Sequence, residues 1–349
     1  MFESINIPLL TEICETPGAP GYESRIRELV LREVTPYVDE VRTDNMGNIV
    51  AIKKGRSDKK VMVPAHIDEI GFIVTHIDDN GFIRFHTLGG FDPKTLTAQR
   101  VIVHGRKDLL GVMGSKPIHV MTPEERNKVP KLKDYFIDLG LPKEEVDKHV
   151  RIGDTITRER ELIELGNHVS CKSIDNRISV YMLIETLKTV ETPAHDLYAV
   201  FTVQEEVGIR GANVSALQIQ PDFGIALDTT VAYDLPGAAA HEKITSLGKG
   251  AGIKVMDSGT ICDFRMVRFL TECAENEGIN HQMEVLTAGG TDTAGIQRMT
   301  PGGSIAGAIS IPTRYLHQVI EMANKQDIMD AMNLLATALD RMDKFDWSL

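Results

Sequence analysis

LYAVFTVQEE, residues 197–206, decides the fold. A run of Leu, Tyr, Ala, Val, Phe and Val, broken only by Thr202, ends in the two carboxylates of Glu205 and Glu206. An apolar run of this length before a polar loop reads as a buried strand of a parallel sheet. Three other runs have the same form. Val61-Met62-Val63 leads to His66, Phe223 through Leu227 leads to Asp228, and Ile305 through Ile311 leads, after a short turn, to His317. Ligands of open α/β sheets bind beyond the carboxyl ends of the strands. The four runs therefore predict one sheet edge that gathers two imidazoles and several acids.

Working outward, residues 23–37 place Ile26, Leu29, Val30 and Val34 on one helical face. Asp44 to Asn48 is a turn, and strands follow at Ile49–Lys53 and Lys60–Ala65. Pro64 fits poorly inside a central strand and is expected at a strand end or bulge. From about residue 69 the pattern changes to short alternating strands: Gly71–Ile77, Gly81–Thr87, Arg100–His104 and Leu110–Met113. Pro123 to His149 is charged and punctuated by proline, and reads as loops and short helices on an outer face. Ile152 to Thr157 closes the β-rich section. The α/β rhythm then returns: helix 176–190, strands 196–203, 223–227 and 250–255, helix 263–277, strands 281–286 and 304–311, and a last helix at about 318–342. The reading is one α/β domain (1–68 and 162–349) interrupted by an inserted all-β domain (69–161).

The bulk composition bounds the function. The 349 residues are 42% apolar and 25% charged, with a formal net charge of -12. These values describe a globular protein with a generous core. The acidic balance argues against nucleic acid as a partner. MFESINIPLL has no basic stretch followed by an apolar one, and no run approaches the length of a membrane span. The four cysteines form no CxxC pair, which predicts free thiols in a reducing compartment and a cytoplasmic protein.

The chemistry is collective. His66 and Asp68 form an H-x-D pair, in which neutral imidazole would bind a metal and the acid would fix its tautomer. Taken alone, the pair is equally a turn with a surface histidine. Asp175, in SCKSIDNRIS, is an ordinary helix cap or a carboxylate that bridges two cations. Adjacent acids at the end of a buried strand are costly unless a cation neutralises them. One of Glu205 and Glu206 could bind metal while its neighbour takes a proton from an activated water. Asp228 could be a strand-ending turn residue, and a lone His317 is commonly structural. Gly289-Gly290-Thr291-Asp292 reads as a substrate-lining turn or as helix punctuation with Thr291 or Asp292 as cap. Imidazoles mixed with carboxylates suit zinc, cobalt or manganese better than calcium. No G-x-S-x-G elbow is present, which disfavours a serine hydrolase.

In order, AHIDE, SIDNR, QEEVGIRGA, ALDTT, GGTDTAG and PTRYLH resemble the tetrahedral aminopeptidase and glutamyl aminopeptidase family of co-catalytic metallopeptidases, some of them called cellulase M. The resemblance spans nearly the whole chain. It implies an α/β/α sandwich, zinc-peptidase-like, with an inserted dimerisation domain, often assembled into dodecamers. It implies two divalent metals, zinc or cobalt, and small peptides with a free amino terminus as substrates. His66 and Asp228 would each hold one metal, His317 and Glu206 would share the other, and Asp175 would bridge. Which metal each ligand holds stays open. Glu205 would be the general base, Asp68 the orienting acid, and Gly289, Gly290, Thr291 and Asp292 the substrate lining.

Two other readings compete. A glycoside hydrolase would use the paired Glu without the two histidines, but one Trp and 5% aromatic residues are few for stacking on sugars. A non-catalytic metal-dependent scaffold would have no use for Glu205 beside Glu206.

Overall fold

The computed structural model describes residues 2–349. Along the chain, helices α1 (Ile7–Glu15) and α2 (Ser24–Val34) precede strands β1 (Glu40–Thr43), β2 (Ile49–Lys53) and β3 (Lys60–His66). Next come β4 (Gly71–Ile77), β5 (Ile83–Leu88), β6 (Arg100–His104), β7 (Asp108–Ser115), α3 (Pro123–Arg126), β8 (Tyr135–Asp138), α4 (Lys143–His149) and β9 (Thr155–Arg158). The remainder is β10 (Ile163–Leu165), β11 (His168–Cys171), α5 (Ile174–Thr189), β12 (Asp196–Thr202), α6 (Arg210–Ile219), β13 (Phe223–Val231), β14 (Ala251–Met256), α7 (Phe264–Glu277), β15 (His281–Val285), α8 (Thr293–Met299), β16 (Ile305–Arg314), β17 (Glu321–Asn324) and α9 (Lys325–Arg341).

The main sheet runs β1-β2-β12-β3-β13-β16-β17-β11-β10, with β14 and β15 branching from β16. Its centre, β12, β3, β13 and β16, is parallel, as the four apolar runs predict. Side chains alternate across it. Val61 and Val63 join the large core shared with α1, α2, α5, α7 and α9, while Met62 faces α6 and α8. Helices thus cover both faces, giving an α/β/α sandwich. Each fully buried aliphatic residue here contributes about 1.5–3 kcal/mol, and the sum holds the strand ends rigidly. In α1, Asn6 accepts from the Leu9 N–H and caps the helix, whose Leu9, Leu10, Ile13 and Cys14 turn inward.

Strand register positions the site. Thr202 pairs with His66, so Glu205 and Glu206 leave the sheet just past the histidine. The ladder between β3 and β13 stops at Met62 and Gly224, and the strands part beyond it. Pro64 therefore lies inside β3 and not at a strand end or bulge. The β13 ladder has already lapsed there, so that side of the strand requires no donor. In the opened gap, the Leu227 carbonyl accepts from Asn176 Nδ2 at 2.9 Å, which ties the start of α5 to β13.

The strands β4-β5-β8-β7-β6-β9 close into a barrel around Phe72, Val74, Val101, Val103, Ile137 and Ile156. Further expectations fail in position. Residues 135–138, read as part of an outer loop region, form β8 and complete the barrel. Tyr135 and Ile137 point inward, a two-residue alternation too short to stand out between charged flanks. Residues 321–324, read as the beginning of the last helix, form strand β17, which pairs with β16 on one side and β11 on the other. The helix starts after Asn324, whose side chain accepts from Gln326 N–H. Asp228 is also not at a strand end, because β13 continues to Val231.

Candidate active site

The parted strands, the loop after β12 and the turn after β16 surround a cavity of about 480 Å³. His66, Asp175, Glu205, Glu206, Asp228 and His317 all line it. Six side chains read from five distant segments thus come together.

His66 ends β3 and is 2% exposed. Its Nδ1 lies 3.1 Å from the carbonyl of Asp68. A carbonyl only accepts, so Nδ1 carries the proton and Nε2 offers a lone pair. That Nε2 stands 3.4 Å from Asp175 Oδ1, and 3.8 Å from both Asp228 Oδ1 and Glu205 Oε2. Asp68 also accepts the backbone N–H groups of Glu205 and Glu206, each at 3.1 Å, so one acid orients both the imidazole and the Glu pair.

Asp175 sits between the halves of the cluster. Its backbone is not helical (φ -77°, ψ 109°), and its carboxylate turns to the two imidazoles in place of a helix N–H, so it is not the simple helix cap that the sequence allowed. Its two oxygens face the two histidines, Oδ1 toward His66 Nε2 and Oδ2 toward His317 Nε2, each at 3.4 Å. His317 Nε2 is 3.6 Å from Glu206 Oε2. The other Glu206 oxygen is buried with no hydrogen-bond partner. One oxygen or nitrogen from each of His66, Asp175 and Asp228 falls within 4.8 Å of the others, and the same holds for Asp175, Glu206 and His317.

The electrostatics are those of crowded, dry acids. Burial raises Glu206 to about 7, with Asp175 adding to the rise and His317 opposing it. Burial, with Asp228, Asp292 and Glu206 nearby, lifts Glu205 well above the carboxylate range against the pull of His66. Burial would depress His317, but Glu206 and Asp175 overcome it and raise the imidazole to about 10. Burial would raise Asp175, yet His317 and His66 hold it below its ordinary value.

Gly289, Gly290 and Thr291 line the cavity. Asp292 is 2% exposed and lies beneath them, accepting from Thr202 Oγ1 at 2.5 Å. It precedes α8 but makes no side-chain cap. Sequence reading passed over Lys254 and Asp257, which also line the cavity. The clue was a lone lysine inside the apolar strand AGIKVM. It is fully buried and ion-paired with Glu284, which also accepts from Thr230 Oγ1. Glu321, Arg158 and Gly90, which hold the backbone and ring of His317, were missed as well.

A cavity of similar size, about 490 Å³, opens elsewhere against the start of β13 and β16. It is lined by Lys59, Asp222, Arg265 and Trp347 and has no imidazole in its wall.

Residues 47–334 match the M42 glutamyl aminopeptidase family. Lysyl aminopeptidase of Pyrococcus furiosus is 33% identical over 350 residues, covering 97% of this chain and 98% of that protein. An aminopeptidase from the archaeon Desulfurococcus kamchatkensis superposes with a TM-score of 0.92 at 38% identity, covering 96% of this chain and 94% of the other. The TET1 peptidase of Pyrococcus horikoshii, which can assemble into a tetrahedron or a large octahedral shell, superposes with a TM-score of 0.86 at 32% identity, with 95% and 98% covered.

Proposed function

The chain belongs to the M42 glutamyl aminopeptidase family and is a peptide hydrolase; from that premise we propose that it removes amino-terminal residues from small peptides with two divalent cations, zinc or cobalt. The observation that carries this reading is the spacing of the donors. Ligands around a tetrahedral ion at zinc–nitrogen and zinc–oxygen bond lengths stand about 3.3–3.6 Å apart. The facing donors here are separated by 3.4–3.8 Å, too long for hydrogen bonds and close to the edge of such a tetrahedron. The buried Glu206 oxygen that has no hydrogen-bond partner fits the same reading.

His66, Asp228 and Asp175 would hold one cation, and Asp175, Glu206 and His317 the other. Bound there, the pair would polarise the scissile carbonyl and make a water nucleophilic at neutral pH. Glu205 takes the proton of the attacking water and delivers it to the leaving amine. Asp68 keeps the His66 ring and the Glu205–Glu206 backbone in place. The acids of the cavity receive the free α-amine of the peptide, which confines cleavage to the first bond. Gly289, Gly290 and Thr291 line the space for substrate.

Residues 69–161 act as an inserted dimerisation domain. Support comes from Leu110 (60% exposed), Val112, Ile118 and Val120, apolar residues left in water on a lone barrel. The tetrahedral or octahedral assembly reported for the Pyrococcus horikoshii relative supports a homo-oligomer, which we read as dimers built into a dodecamer. Four buried, unpaired cysteines favour the cytoplasm. Among the described residues no helix is long and apolar enough to cross a membrane.

The test is a panel of aminoacyl chromogenic substrates, run on metal-free protein and after addition of zinc, cobalt or manganese, with the particle mass measured on the same sample. Metal-restored release of the amino-terminal residue by a multimer is expected. Full activity in chelator would refute the metal reading.

A further inference from the structure

The barrel reaches the catalytic cavity through the end of its last strand. Arg158 closes β9 and is 3% exposed. Its guanidinium spreads over two carbonyls: NH1 donates to His317 O at 3.0 Å and NH2 donates to Lys172 O at 2.9 Å. Those carbonyls belong to the two loops that carry His317 and Asp175. Glu321 grips the same loops by their N–H groups, Oε1 accepting from His317 at 2.8 Å and Oε2 from Asp175 at 2.9 Å.

The barrel also holds the ring. The Gly90 carbonyl accepts from His317 Nδ1 at 2.9 Å, which leaves Nε2 facing Asp175 and Glu206. Gly89, at φ +97°, makes that approach possible, since a Cβ there would lie 2.4 Å from Ile70. The adjacent Phe91 stacks on Phe72 of the barrel core at 4.5 Å and lies 5.4 Å beneath the Arg158 guanidinium. Barrel packing therefore fixes both the arginine and the loop that orients the histidine.

His317 needs this support. Its φ is +62° and that of Tyr315 is +60°, a backbone region that L-residues keep only where surrounding contacts over-determine it. His66, by contrast, stands on a strand in the middle of the sheet and requires no such brace.

We infer that Arg158 is a positioning residue for the Glu206–His317 half of the site, so that the inserted barrel completes the cation-binding centre as well as offering a surface for assembly. This rests on the reading that the cluster binds two cations. A flat, forked donor suits two carbonyls at once, whereas lysine could serve only one at a time.

Metal-free full-length protein titrated with zinc in a calorimeter, with bound metal counted independently, tests the inference. Wild type should take up two ions. Arg158→Met should bind the His317-side ion roughly 10–100-fold more weakly, the usual effect of losing a group that orients a ligand, and the other ion much less so, because the two share only Asp175. Arg158→Lys should recover part of the loss. Glu321→Gln turns one accepting oxygen into a donor without opening a cavity, and should weaken the same ion if Arg158→Met fails to fold. Two ions at wild-type affinities in folded Arg158→Met, or in folded Glu321→Gln where the arginine variant does not fold, would overturn the inference. Equal weakening of both ions would overturn it too, because the effect would not fall mainly on one half. A wild-type protein that binds no zinc would instead overturn the underlying two-cation reading, and would do so before any substitution is made.

Discussion

The two halves of the cluster are built differently. His66 and Asp228 stand on β3 and β13 in the parallel centre of the sheet, and are 2% and 5% exposed. Glu206 and His317 stand on loops, the His317 side chain is 38% exposed, and its left-handed backbone is held by Arg158, Glu321 and Gly90. Asp175 joins the two. One half inherits its rigidity from core packing, while the other borrows it from hydrogen bonds that cross a domain boundary. Packing of that kind is hard to perturb locally, whereas a hydrogen-bonded turn fails when one partner is removed.

The largest expected effect falls on Glu205, which faces His66 and belongs to neither ion's inferred ligand set. Glu205→Gln should lower kcat by roughly 10²-fold or more while both ions stay bound. Near-normal kcat with metal content confirmed would remove Glu205 as the base. Loss of an ion would place it among the ligands of the buried half.

A smaller contrast lies in the histidines. His66→Ala leaves Asp175, Asp228 and Glu205 facing one another in a dry space, so it should weaken metal binding and lower the melting temperature of the metal-free protein. His317→Ala opens an exposed turn, and should weaken one ion by roughly tenfold or more with little change in melting. Equal melting temperatures for the two variants would erase the distinction between a packed half and a braced one.

The smallest effect is in pH. In the metal-free fold Glu206 titrates at about 7 against an ordinary 4.5, and His317 at about 10 against 6.5. Each therefore binds protons that the unfolded chain has released, Glu206 between about pH 4.5 and 7 and His317 between about 6.5 and 10. Stability from both is full at the lower end and is lost as pH rises. Melting of the metal-free protein should shift downward between pH 5 and 9, and Glu206→Gln should flatten the lower part of that slope. An unchanged slope in the variant would contradict the raised value. Bound cations displace these protons, so the metal-loaded protein should bind its ions more tightly as pH rises.

The same contrast explains what could be read from the chain. His66 and the Glu pair follow apolar runs, and strand periodicity points to them directly. His317 is separated from its run by a turn, and gains meaning only beside the other acids and the family likeness. Arg158 and Gly90 act on a residue 159 and 227 positions away. No local pattern marks them, because their role exists only once the barrel has closed against the sheet. β8 was hidden for a related reason: four residues with two inward side chains become a strand only through pairing with β7 and β5. Lys254 was visible as a charge in an apolar strand, but its nearer partner Glu284 lies on another strand.

Anomalous diffraction at the zinc edge, from crystals of the full chain grown with zinc, tests the central claim most directly. Two peaks are predicted, one bounded by His66 Nε2, Asp228 and Asp175, the other by Asp175, Glu206 and His317 Nε2. Zinc bound elsewhere on the molecule, with this cluster free of anomalous density, would contradict the account.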